Sequence, residues 1–168
     1  MDNYLKHFYP KRKPNRLKHY DYSRNGYYFV TICSKGRQNT FSKIEEVENC
    51  YPNVILLPNG KIIEENILKI SEIYEHVWID CFVIMPNHVH LIVGIDLADH
   101  TRRQVAAPTL SQIVGGMKRA SSMKAASSLW QKSFHEHIIR DEAGYLKISE
   151  YIENNPLTWK KDCYFQDT

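Results

Sequence analysis

Trp78-Ile79-Asp80-Cys81-Phe82-Val83-Ile84-Met85-Pro86-Asn87-His88-Val89-His90-Leu91-Ile92-Val93-Gly94-Ile95 is the stretch that decides the fold. Two runs rich in β-branched and aromatic residues flank a Pro-Asn pair. The pattern predicts a strand over 78–85, a turn at 86–87 and a second strand over 88–95. Alternate side chains of a strand share a face. His88 and His90 therefore point one way, while Val89, Leu91 and Val93 point the other way, into a core. Two imidazoles roughly 6.5 to 7 Å apart along a strand can converge on one divalent ion. Ordinary strand histidines are the competing reading. A second pair, His135-Glu136-His137, has a charged residue between its rings and lies in a less regular segment, so it reads as structural or incidental.

Upstream, Asn25-Gly26 marks a turn before Tyr27-Tyr28-Phe29-Val30-Thr31-Ile32-Cys33, a strand by composition. Residues 34–52 read as loop with one short edge strand. The apolar run Asn53-Val54-Ile55-Leu56-Leu57 stops at Pro58-Asn59-Gly60. Ile63, Ile67, Ile70, Tyr74 and Val77 then recur at spacings of three and four, which predicts a helix over 61–77.

Downstream, 96–108 is a polar loop containing Arg102 and Arg103. Thr109 is placed to cap a helix whose apolar positions include Leu110, Ile113, Val114 and Met117. A strand is expected within 130–140. Asp141 caps a last helix, which must stop near Pro156. Strand, helix, strand, strand, helix, strand, helix is the order of an α+β domain. It fits a ferredoxin-like antiparallel sheet with helices packed on one face. A single domain over 1–168, with a basic N-terminal arm over 1–24, accounts for the whole length.

The charge excess is small: 22 Lys+Arg against 19 Asp+Glu. Its placement says more. Lys11, Arg12, Lys13 and Arg16 stand among Phe8, Tyr9, Tyr20 and Tyr22, and cations beside aromatic rings suit phosphates and unstacked bases. Lys118 and Arg119 make the later turns of the third-quarter helix basic. These six are the candidate nucleic-acid contacts, against the alternative of a solvated arm. None of Cys33, Cys50, Cys81 and Cys163 forms a C-x-x-C pair, and Cys33 and Cys81 sit in apolar runs, as reduced buried thiols do. The N-terminus is too polar for a secretory signal, and no apolar run is long enough to span a bilayer. No membrane association and a cytoplasmic, nucleoid-associated location are expected.

On the last helix, Tyr145, Ile148 and Ile152 form an apolar stripe, and Tyr151 lies at its margin. Asn155 follows Tyr151 by one turn, so phenol and amide share a surface, with Lys147 a turn above. A helix-surface tyrosine is the plainer account of Tyr151.

Met85-Pro86-Asn87-His88-Val89-His90-Leu91, with Trp130-Gln131-Lys132-Ser133-Phe134 and Tyr151-Ile152-Glu153-Asn154-Asn155-Pro156 downstream, resembles the single-tyrosine HUH transposases. The likeness is strongest to the branch associated with repetitive extragenic palindromes (REP). Tyr22-Ser23-Arg24-Asn25-Gly26-Tyr27-Tyr28-Phe29-Val30-Thr31-Ile32 resembles that branch's opening strand, and matching segments run in order from about residue 10 to 160. The resemblance implies that His88 and His90 are metal ligands, that Tyr151 is the nucleophile, and that Asn155 supplies a third, polar ligand. It implies Mg²⁺ or Mn²⁺ as the ion, single-stranded or hairpin DNA as partner, and either a monomer or a homodimer. The chain departs from the family after Pro156, where Trp159-Lys160-Lys161-Asp162 replaces a small, apolar continuation.

The expected activity is metal-dependent cleavage and rejoining of single-stranded DNA through a phosphotyrosine. Attack by tyrosine exchanges one ester for another and keeps the step reversible. Two alternatives stand beside it. One is a non-catalytic single-stranded nucleic-acid binder of the RNA-recognition kind, although Tyr27-Tyr28-Phe29 lacks the Gly-rich aromatic signature of such domains. The other is a metal-dependent phosphodiester hydrolase, which would leave Tyr151 without a role.

Overall fold

A computed structural model describes residues 20–96 and 108–165. Its centre is a four-stranded antiparallel sheet in the order β4-β5-β1-β6. The strands are β1 (Gly26–Cys33), β4 (Val77–Ile84), β5 (His88–Ile95) and β6 (His135–Ile139). Two short strands, β2 (Ser42–Glu45) and β3 (Asn53–Leu56), pair separately as a ribbon. The hairpin expected at 78–95 is present, and β5 is central, paired with β4 on one side and β1 on the other. The α+β antiparallel architecture read from the sequence is the observed one.

Helical period over 61–77 resolves into two pieces, α1 (Pro58–Leu68) and α2 (Ile70–Ile73), with Val77 already in β4. The helix starts earlier than expected because Pro58 takes a first-turn position, where its missing N–H costs nothing. Gly60 must stay glycine: a Cβ there would lie 2.0 Å from the Phe41 carbonyl oxygen. Thr109 and Gln112 form a reciprocal capping box at the head of α3 (Leu110–Lys124). Asp141 Oδ1 accepts the Gly144 N–H at 2.7 Å and starts α4 (Glu142–Asn154).

The two faces of the sheet bury different clusters. Tyr28, Val30, Ile32, Val89, Leu91, Val93 and Ile95 pack with Ile63 and Ile67 of α1 and Leu110, Ile113 and Val114 of α3. Helices on one face, as expected from element order, describes α1 and α3. The last helix lies across the other face, where Ile152 joins Ile92 and Ile139, with Phe29, Val83, Tyr145 and Ile148 at the margin. Hence all eight residues of β5 are buried, although only alternate ones face the larger core. A side chain of Ile size gains roughly 1.5–3 kcal/mol on such burial. The face under α4 carries His88 and His90.

Candidate metal and nucleophile site

Antiparallel register places the site. Thr31 of β1 and Val83 of β4 stand opposite His90, and Cys33 stands opposite His88. The two imidazoles are 4.4 Å apart between ring centroids, so they converge as the strand alternation requires. Both rings are almost without solvent exposure.

Each ring is oriented by a partner on its Nδ1. His88 Nδ1 lies 3.0 Å from Asn87 Oδ1, and His90 Nδ1 lies 2.8 Å from Thr31 Oγ1. The Asn87 amide is itself fixed, because its Nδ2 donates to the Tyr164 carbonyl at 2.7 Å and to the Arg37 carbonyl at 3.2 Å. Its Oδ1 is thereby left for His88, whose Nδ1 must be the protonated nitrogen. The Nε2 atom of His88 then carries the lone pair, and it is buried with no hydrogen-bond partner. Holding a ligand histidine by its second nitrogen is the usual support of metal centres. Burial pushes the pKa of both rings down to about 3, against a smaller upward influence of Asn155 on His88 and of Asp162 on His90. Neutral imidazole, the form that binds cations, is therefore the resting state.

The α4 helix brings in the other two residues singled out in the sequence. Tyr151 Oη lies 3.3 Å from His90 Nε2, and its ring meets Phe29 edge-on. The Tyr151 side chain is 42% exposed. Its pKa is raised, first by partial burial and then by the Asp162 carboxylate, with the Asn155 amide opposing. Asn155 caps the C-terminus of α4 and is fully buried. Its Nδ2 faces Asp162 Oδ2 at 3.3 Å, while its Oδ1 is buried without a partner.

Two unpartnered buried acceptors in one site, His88 Nε2 and Asn155 Oδ1, are costly unless something donates to them or coordinates them. Two imidazole nitrogens with an amide oxygen suit a divalent cation with no need of thiolates. The residues present therefore fit the ion that the resemblance implies.

Sequence reading missed three participants. Thr31 is 59 positions from His90, and only strand register joins them. Asn87 read as a turn residue. Asp162 follows a 3-10 turn, Pro156–Lys161, that folds the chain back so that Trp159 and Tyr164 lie 5.9 and 4.7 Å from the His88 ring. A carboxylate oxygen of Asp162 and one nitrogen each of His88 and His90 lie within 4.8 Å of one another.

Lys11, Arg12, Lys13 and Arg16 fall outside the described residues, as does most of the loop carrying Arg102 and Arg103. Arg119 is exposed on α3. The Lys118 ammonium instead turns inward, donating to the carbonyls of Gln131 at 2.8 Å, Ser133 at 3.2 Å and Lys132 at 3.5 Å. His135 and His137 are exposed on the edge strand β6. Among the described residues no helix is long and apolar enough to cross a membrane.

No family model matches the chain. An uncharacterised protein of Haemophilus influenzae (strain ATCC 51907 / DSM 11121 / KW20 / Rd) is 35% identical over 174 residues, spanning 93% of this chain and 94% of that protein. Among solved structures, a REP-associated tyrosine transposase bound to a REP hairpin superposes with a TM-score of 0.61 at 19% identity. That match covers 85% of this chain and 73% of the other.

Proposed function

We propose that this chain, which belongs to one family with the Haemophilus influenzae protein and has the fold of a REP-associated tyrosine transposase, is a metal-dependent DNA strand transferase. It would cleave and rejoin single-stranded DNA through Tyr151. One observation carries the reading: the Tyr151 hydroxyl sits 3.3 Å from His90 Nε2 in a site where His88 Nε2 and Asn155 Oδ1 are buried without partners.

His88, His90 and Asn155 would hold Mg²⁺ or Mn²⁺. When bound, the ion supplies charge neutralisation on the phosphate and favours the phenolate of Tyr151. Everything else falls to the chain. Asn87 fixes the tautomer of His88, and Thr31 orients the ring of His90. His90 and Phe29 hold the phenol, which limits the orientations from which an in-line attack must be selected. Tyr151 Oη bonds to phosphorus as the bond from phosphorus to the 3′ oxygen breaks. The phenol proton leaves, and the departing oxygen takes up a proton to become a free 3′-OH. The 5′ phosphate stays on Tyr151. Attack by the 3′-OH of another strand reverses these changes and restores the tyrosine, with no nucleotide triphosphate consumed.

The structurally similar transposase is bound to a REP hairpin. Hairpin or palindromic single-stranded DNA is the corresponding substrate proposed here, with Lys11, Arg12, Lys13, Arg16 and Arg119 as phosphate contacts. The decisive experiment incubates the protein with end-labelled single-stranded DNA carrying a palindromic hairpin, with Mg²⁺ or Mn²⁺. A covalent adduct surviving denaturation is the expected result. Free fragments without adduct would identify a hydrolase, and retention without cleavage a binding module.

A further inference from the structure

We infer that Asp162 is a further ligand of the same ion, so that the centre is a two-histidine, amide and carboxylate set, closed by the segment after α4. The inference rests on the metal-dependent reading above and deepens it.

Three observations support it. The first is distance. Ligand atoms of one ion bound at roughly 2.0–2.2 Å are separated by no more than about 4.4 Å. The Asp162 oxygen and the two imidazole nitrogens already lie within 4.8 Å of one another, so small side-chain rotations suffice. The second is the pair of buried acceptors with no donor, His88 Nε2 and Asn155 Oδ1, both on residues without solvent exposure. A carboxylate beside them adds a further acceptor and no proton, an arrangement that a cation satisfies and a water molecule only partly does.

The third is how Asp162 is held. Its Oδ1 accepts the Tyr164 N–H at 2.7 Å, and its Oδ2 faces Asn155 Nδ2 at 3.3 Å. Its own N–H donates to the Trp159 carbonyl at 3.0 Å. These bonds fix the carboxylate before any ion arrives and leave lone pairs on both oxygens. Among the described residues no lysine or arginine forms an ion pair with Asp162. The carboxylate thus stands beside the two imidazoles. Aspartate would make the centre bind cations in the absence of DNA more tightly than two imidazoles and an amide would, because it alone brings a full negative charge.

The test uses the full chain without DNA and titrates Mn²⁺ by calorimetry. Asp162→Asn keeps the volume and one of the two acceptors while removing the charge, and it should weaken Mn²⁺ at least about tenfold. His90→Ala in parallel should weaken it too. Normal Mn²⁺ affinity in Asp162→Asn with loss in His90→Ala would overturn the role of Asp162 and leave the functional reading standing. Absence of Mn²⁺ binding by the unmodified chain would overturn both. Should Asp162→Asn fold poorly, a wild-type crystal soaked in Mn²⁺ decides. An anomalous peak within about 2.0–2.3 Å of an Asp162 oxygen supports the assignment. A peak held by His88 and His90 with Asp162 out of reach overturns it.

Discussion

The Thr31 hydroxyl and His90 Nδ1 lie 2.8 Å apart, directly across the ladder between β1 and β5. Thr31 is itself almost wholly buried. The bond fixes which imidazole nitrogen faces Tyr151. Thr31→Val replaces the hydroxyl by a methyl of similar size, so the strand should keep its packing. Mn²⁺ affinity should fall roughly 10- to 100-fold, the usual cost of removing a ligand's supporting partner. Calorimetry beside a melting curve checks this. Unchanged affinity would mean that other contacts orient the ring.

Tyr151→Phe removes one oxygen from a side chain that is 42% exposed, so folding stability should change by less than about 0.5 kcal/mol. Hairpin DNA should still bind, and the covalent adduct should vanish on a denaturing gel. An adduct persisting in the Phe variant would move the nucleophile elsewhere. Tyr145 would then be tested, although its hydroxyl is engaged by Asp80.

His88→Ala and His90→Ala should each abolish cleavage while leaving hairpin affinity within a few-fold of the parent. Asn155→Ala should be milder, since an amide oxygen is a neutral ligand that water can replace. His135→Ala, on the edge strand, should retain most activity. Cleavage assays on the four variants, read together, locate the ion. Loss of activity in His135→Ala alone would place it at the wrong pair.

The pH dependence follows from burial. An exposed histidine would lose its metal near pH 6.5, but both rings here are held down to about 3. Metal binding should therefore persist well below pH 6. The sign for stability is the opposite of a salt-bridged histidine. Between about pH 6.5 and 3 the unfolded chain takes up protons that the folded metal-free chain refuses, so stability falls as pH falls. The slope approaches about 1.4 kcal/mol per pH unit for each ring. Urea titrations at pH 7, 5.5 and 4.5 measure it, and His90→Ala should flatten the trend. A flat profile in the parent would contradict the buried neutral pair.

Basic residues should separate into two classes. Neutralising Lys11, Arg12 and Lys13 should reduce the slope of log affinity against log salt for hairpin DNA. Lys118→Met should leave that slope unchanged and instead cost roughly 1–3 kcal/mol of stability, because its ammonium ties down the carbonyls of residues 131–133. Fluorescence anisotropy across a salt series and a denaturant melt distinguish them. A reduced slope in Lys118→Met would show that the side chain leaves those carbonyls for phosphate.

Local pattern sufficed for the elements of the sheet and most of the helices. Alternation and β-branching set the strands at 78–95, Asp141 and Thr109 announced their helices, and the two-residue repeat put His88 and His90 on one face. Spacing also put Tyr151 and Asn155 on one helix surface. These features depend on residues within a few positions of each other, so the sequence by itself determined them. It did not determine which face α4 covers, because an amphipathic stripe specifies a buried side without naming the surface that buries it. Nor did it join Thr31 to His90, direct Lys118 inward, or bring Asp162 back over the histidines. Those are long-range contacts fixed by strand register, by the fold of residues 131–133 and by the turn after Pro156. Only the closed tertiary structure decided them, since a side chain's partner across 59 positions depends on the packing of everything between.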